Sequence, residues 1–495
     1  AAIIRGLAKY NHVDDAWKRY SEAISNDISL DLETYNSLIV TIVPKTDDYE
    51  IRWTTIMELL EAMARHNLKP DTKTLNNCMQ VMSRSAFFRK SKDYSLRLLK
   101  EMSLQGVKPS LATYYFLLNI HCRDKGPVSM MLYSILDELE EEEGDFELRD
   151  YRDSFFFSSA MLVCKRHLQD LEPAHRLNDL LEKGQNRKFI GENFKEVVYY
   201  RTYLSLAVST LPLQEFMVMY NDLIPHIYSP EPDLMEEIVR VVGVHGSFQY
   251  IPTLWTDINA VQVDNTQVVS ALLNTMVQYV PQESDVVFQY KESATAKPQT
   301  AKASQPRVLG NEFTRRTASL QEQMVKIIDN LVSNLEFYSL AERKSGKMIW
   351  TAVHASQMLQ VLATCGGCAT GVRLLVLLEK NPELCVGELY PENAENFFEC
   401  SIRENNFEAA FKIASYYGNH FGRKEAVKMA QQIVAEFKMD AFRRSQLAIE
   451  FGADIVRESA DRDAKIREER LQKQKEEEDK KKTTEEEKAG DYSNK

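Results

Sequence analysis

The 495-residue sequence predicts an all-α fold: a solenoid of helical hairpins in tandem, with a charged C-terminal helix. Three observations predict it. Gly and Pro together are 33 residues, well under the roughly 12% of average usage, and so few turn-formers argue against a β-sandwich, barrel or propeller. Apolar residues recur at i, i+3, i+4 and i+7 in segments such as 53–64, 94–102 and 407–414. Short landmarks return at intervals of 40 and 39 residues, the mark of a repeat whose hairpins bury a core only by stacking.

The composition sets bounds. An apolar fraction of 44% supports a sizeable core, and the length corresponds to roughly three domains. No run of about 18 uncharged apolar residues occurs, so no membrane span is expected. Seven Cys, an odd number, make a reducing compartment the default and a disulfide framework a poor reading. A net charge of −12 argues, taken as a total, against a nucleic-acid partner.

Residues 1–136 carry the well-formed repeats. Thr34-Tyr35-Asn36-Ser37-Leu38-Ile39 is answered by Thr74-Leu75-Asn76-Asn77-Cys78-Met79 and by Thr113-Tyr114-Tyr115-Phe116-Leu117-Leu118. The copies also end alike, MARHNLKPD at 63–71 and MSLQGVKPS at 102–110. Pro70 and Pro109 are expected to stop the second helix of each hairpin, because the residue before Pro disfavours helical torsions. The first copy fits 3–31 without gaps, so the chain is expected to begin inside a repeat. The second and third copies hold extra residues near 43–51 and 85–92. An acidic insertion, 137–150, separates these from degenerate helical repeats at 151–285. A linker is expected at 286–312, where 293–306 has no apolar residue larger than Ala. Helical patterning resumes over 313–454, with a hairpin at 393–417. A charged helix and tail follow at 455–495, supported by seven acid-to-base pairs four residues apart.

These motifs resemble the pentatricopeptide repeat family, helical hairpins related to tetratricopeptide repeats that read single-stranded RNA at about one base per repeat. The resemblance implies that the fifth and last residues of a copy recognise a base. That places Asn36 with Asp71, a pair favouring uracil, and Asn76 with Ser110, leaning toward cytosine. Tyr115 stands at the fifth place of the fourth copy, where it can stack. Asp31 is the last residue of the first. The alternative for Asn36 and Asn76 is capping near helix starts. The second residue, an apolar wedge in the family, is here Glu33, Lys73 or Ala112. Lys9, Arg84 and Arg123 match a basic position near the RNA backbone, and Arg89, Lys90 and Lys92 join them. Local charge agrees: 65–125 has 12 basic and 4 acidic residues, whereas 137–150 has nine acids and one base. The acidic run reads either as a solvated helix end or as a bumper ending the RNA path.

The resemblance further implies RNA partners, messenger and ribosomal, beside mitochondrial small-subunit ribosomal proteins in the mitochondrial matrix. No membrane or small-molecule partner is expected. A protein-binding scaffold and an RNA-processing factor are the alternatives. No catalytic motif, cofactor or metal set is expected. Cys365-Gly-Gly-Cys368 lacks zinc-ribbon spacing to Cys385 and Cys400 and reads as a helix turn with buried thiols. Phe155-Phe156-Phe157 reads as core.

Overall fold

The computed structural model describes residues 1–84, 90–122, 129–142, 144–191, 193–262, 264–281, 288–289, 317–337, 348–385 and 387–457. Arg89, Arg123, the expected linker apart from 288–289, and the tail from 458 onward lie outside the described residues. The chain divides into two compact units, Ala1–Leu234 and Met235–Lys495.

The first unit is all helix among the described residues. Its elements are α1 (Ala2–Lys9), α2 (Val13–Ser25), α3 (Leu32–Val40), α4 (Ile42–Lys45), α5 (Tyr49–Arg65), α6 (Thr72–Ser83) and α7 (Ser91–Leu104). They continue with α8 (Leu111–His121), α9 (Ser129–Glu141), α10 (Phe156–Val163), α11 (Glu172–Glu182), α12 (Asn193–Thr210) and α13 (Leu213–Leu223). The first helices of successive hairpins, α1, α3, α6, α8, α10 and α12, pack side by side in chain order. Their buried faces carry Tyr35, Leu38 and Ile39, then Leu75, Met79 and Met82, then Tyr114, Leu117 and Leu118. Phe156 and Phe157 join this core, while Phe155 is partly exposed.

The repeat landmarks have local causes. Asp31, Asp71 and Ser110 are the N-caps of α3, α6 and α8. Asp71 accepts from the Thr74 amide at 2.7 Å, and Thr74 Oγ1 accepts from the Asp71 amide at 3.2 Å. Ser110 and Thr113 form the same reciprocal box. Thr74 and Thr113 are thus the third helical residues of capping boxes, while Asp31 accepts from both the Thr34 amide and its hydroxyl, and each such cap contributes about 1 kcal/mol.

The helix stops differ from expectation. α5 and α7 end before Pro70 and Pro109 are reached, at caps His66 and Gln105. Asn67 and Gly106 then turn left-handed, with φ of 56° and 80°. The Leu68 amide donates to Met63 O at 2.9 Å and Val107 to Met102 O at 3.0 Å. These are Schellman turns, and the prolines follow them rather than cause them. Asp27 at the end of α2 and Asn405 in the second unit do the same at φ 53° and 54°. Asn and Asp here take a position that Gly usually fills.

The extra residues near 43–51 form α4 and the Asp48-capped start of α5. Buried Arg52 pins them, donating to Thr46 O at 2.8 Å, Val43 O at 3.2 Å and Arg84 O at 3.4 Å.

In the second unit the helices are α14 (Pro232–Val244, near whose start the units divide), α15 (Ile251–Ala260), α16 (Thr266–Val277) and α17 (Leu320–Glu336). Then come α18 (Ala352–Cys365), α19 (Cys368–Lys380), α20 (Pro391–Arg403), α21 (Phe407–His420), α22 (Arg423–Glu436) and α23 (Ala441–Phe451). Phe288–Gln289 and Thr317–Ala318 form a two-residue antiparallel pair. Gly366, at φ 84°, ends α18. A Cβ on Gly371 would lie 2.2 Å from the Phe397 ring, so this glycine lets α19 and α20 approach closely. Among the described residues no helix is long and apolar enough to cross a membrane.

Candidate nucleic-acid interface

Side-by-side packing brings the fifth residue of one copy to the cap of the next helix. Asn36 Nδ2 donates to Asp71 Oδ1 at 3.3 Å, and Asn76 Nδ2 donates to Ser110 Oγ at 3.1 Å. The two asparagines therefore do not cap their own helices. Each holds the residue that caps its neighbour. Asn77 strengthens the join by donating to Asn36 O at 3.0 Å. Asp71 Oδ1 takes the contacts from Asn36 and Thr74, and the exposed carboxylate keeps Oδ2 for another donor. Asn36 Oδ1 is buried with no partner among the described residues.

Glu33 and Lys73, the second residues of two copies, stand 4.0 Å apart on this face. Arg5 contacts Asp31 at 2.9 Å and Glu33 at 3.2 Å. Two cations therefore offset Glu33, the residue least suited to a phosphate chain. The Thr34 hydroxyl, bonded to Asp31, holds that carboxyl below the usual range, and Arg5 adds to the effect.

The third copy is closed by the chain itself. After α9 the backbone returns to a 3-10 turn, Tyr151–Phe155, packed on α8. Asp150 Oδ2 accepts from Asn76 Nδ2 at 3.0 Å. Thr113 donates to Asn76 Oδ1 at 2.6 Å, so both ends of the Asn76 amide are committed. Arg152 bridges Asp150, Gln80 and Asn77 at 2.5, 2.6 and 3.0 Å. Asp153 accepts from the Ala112 amide at 2.7 Å and from the Asp150 amide at 2.7 Å. Burial works against the Asp150 charge, yet the Arg152 side chain and amide hold its carboxyl below the usual range. Asn186 fixes the segment upstream by accepting from the Phe146 amide at 2.9 Å.

This latch is the feature that sequence reading missed. Asp150-x-x-Asp153 ahead of an apolar run is a capping-box pattern, and it was the available signal. The acidic run before it is the end of α9, where Asp137 and Glu140 hold Arg176 of α11 at 2.6 and 2.7 Å.

The remaining candidates scatter. Tyr115 is half-buried, its ring 5.7 Å from that of Phe155. Lys9 and Arg84 are exposed. Arg84 lines a cleft of about 250 Å³ with Val40, Val43, Gln80 and Val81. Lys90 pairs with Glu50 at 2.7 Å, and Lys92 is half-buried. Lys45 lies 3.4 Å from the centre of the Trp17 ring, and burial pushes its ammonium below the ordinary value. The structure thus leaves an accessible polar row at the starts of α3 and α6, with Asp31, Glu33, Asp71 and Lys73, and a closed cluster at Asn76 and Ser110.

No family model matches the chain. It is 32% identical over 429 residues to small ribosomal subunit protein mS39 of Drosophila melanogaster, an alignment covering 86% of this chain and 61% of that protein. It is 32% identical over 259 residues to mS39 of Bos taurus, covering 52% and 37%. The crystal structure of the pentatricopeptide repeat protein PPR10 from maize aligns with 93% of this chain and 62% of its own, at 12% identity and a TM-score of 0.35. That superposition is too loose to fix repeat register. The chain spans about three fifths of the fly relative and less than two fifths of the bovine one. Over 86% of its own length the chain is similar to the small ribosomal subunit protein mS39 of Drosophila melanogaster, and over 52% to that of Bos taurus.

Proposed function

We propose that the chain is an RNA-binding helical-repeat component of the mitochondrial small ribosomal subunit. It acts in translation in the matrix as a binding protein, not an enzyme. Its neighbours are ribosomal RNA, messenger RNA and small-subunit ribosomal proteins. The observation that carries this reading is the 32% identity to Drosophila mS39 over 86% of the chain. The geometry supports a short RNA path along α1, α3 and α6. Lys9 and Arg84 face phosphates, and Asp71, oriented by Asn36, offers a carboxylate oxygen to a base N–H. While the latch is in place, Asn76 and Ser110 contribute through packing, and sequence preference is correspondingly weak. A protein-scaffold role has one observation in its favour: the third copy already holds a peptide, the chain's own 145–155 segment.

Sedimentation of mitochondrial extract tests the assignment. The protein should co-migrate with the small subunit and stay with it in moderate salt. Recovery only at the top of the gradient would reject it.

A further inference from the structure

We propose that Cys368, Cys400 and Glu404 form a binding site in the second unit for one zinc-class divalent cation. One ligand atom from each, two thiol sulfurs and a carboxylate oxygen, lies within 4.8 Å of the other two. Around a tetrahedral zinc ion such atoms stand roughly 3.5–3.8 Å apart, so an ion would draw them in by at most about 1.3 Å.

Rigid elements place the three. Cys400 and Glu404 are four residues apart at the end of α20, on one side of the helix. Cys368 opens α19, which Gly371 allows close to α20. Gly366 makes room for the carboxylate: a Cβ there would lie 2.2 Å from Glu404 Oε1. The sulfurs are buried and Glu404 is exposed. The site is therefore closed on the sulfur side and meets solvent through Glu404, which leaves the fourth position of an open three-ligand zinc site to water. In the free thiols Cys368 Sγ donates toward Ser401 Oγ at 3.9 Å and Cys400 Sγ toward Leu362 O at 4.0 Å; on metal uptake the Ser401 hydroxyl can turn to donate to the Cys368 thiolate.

Cys368 and Cys400 differ from Cys78, Cys122 and Cys164 in standing together beside a carboxylate. Burial pushes Cys78, Cys122 and Cys164 up to about 12 and leaves them inert. Cation uptake releases the two thiol protons and leaves every oxidation state unchanged, so binding tightens as pH rises.

The test uses the full chain, reduced and stripped of metal. Zn²⁺ is titrated against a chromophoric chelator, and Co²⁺ serves as the spectroscopic probe. One equivalent should bind, with a sulfur-to-cobalt charge-transfer band that C400S abolishes and C365S and C385S leave intact. E404Q, at an exposed position that keeps the fold, should weaken Zn²⁺ binding at least about tenfold. Circular dichroism checks the helicity of each variant. The proposal is overturned by no stoichiometric uptake, by a band that survives C400S, by unchanged affinity in E404Q, or by a Cys368–Cys400 disulfide forming in place of metal uptake.

Discussion

Arg152→Ala removes the centre of the latch. The side chain is 7% exposed and makes four hydrogen bonds, two to Asp150 and one each to Gln80 and Asn77. Its loss leaves the Asp150 carboxylate buried with only the Asn76 amide and backbone donors. Breaking one side of such a pair costs about 3–5 kcal/mol. For a unit of 234 residues, at about 2–4 °C per kcal/mol, melting falls by about 6–20 °C. The cost is capped if 145–155 detaches and rehydrates, since the loss cannot exceed the stability of that segment. Hydrogen exchange separates the outcomes: amides 146–155 lose protection first, before those of α6 and α8. The double variant D150A/R152A should recover much of the loss, because it strands no charge. Opening the latch also exposes the Asn76 amide, so R152A should gain affinity for pyrimidine-containing single strands. A melting shift below about 2 °C with unchanged exchange at 146–155 would refute the ion-pair latch.

Three further outcomes are expected. Arg84→Ala should weaken single-stranded RNA binding and lower the slope of log affinity against log salt by about 0.7, one phosphate contact; an unchanged slope removes Arg84 from the RNA path. Asn67→Ala puts a Cβ without compensating polar contacts at φ 56° and should cost about 1 kcal/mol, against less for Pro70→Ala, with urea midpoints deciding between the two as helix stop. Buried His354 accepts from the Thr351 amide at 3.2 Å and bonds Ser270 Oγ at 2.7 Å, and burial lowers its pKa. A folded value below the unfolded one means that stability is fully present above about pH 6.5 and is lost as pH falls below it. Melting of the second unit should follow that course, and His354→Gln should flatten it.

What the sequence disclosed was local. The Asp-x-x-Thr and Ser-x-x-Thr boxes at 71–74 and 110–113 act within one helical turn, so their 39-residue register read directly as hairpin spacing. The prolines misled because a Schellman turn needs only one left-handed residue, and Asn67 supplies it without a glycine to flag it. The latch was hidden by distance. Arg152 meets Gln80 and Asn77 from 72 and 75 residues away, and Asp150 belonged to a run whose charge resembles a solvated surface. Cys368 was visible beside Cys365, but its partners lie on the next helix, where only α19–α20 packing assembles them. The Asn36–Asp71 pair was legible from the repeat pattern. That Asp71 stays exposed while Ser110 is covered depended on where a distant segment folds back.

The central claim is that RNA lies along α3 and α6 and is kept off α8 by the latch. Ultraviolet cross-linking of the full chain to a uridine-rich single strand, with peptides identified by mass spectrometry, tests it most directly. Adducts should fall on α3 and α6, around Glu33, Asp71 and Arg84, with none on the 110–118 face of α8 unless Arg152 is replaced. Adducts centred on α8 in the unaltered protein, or no adducts at low salt, would contradict it.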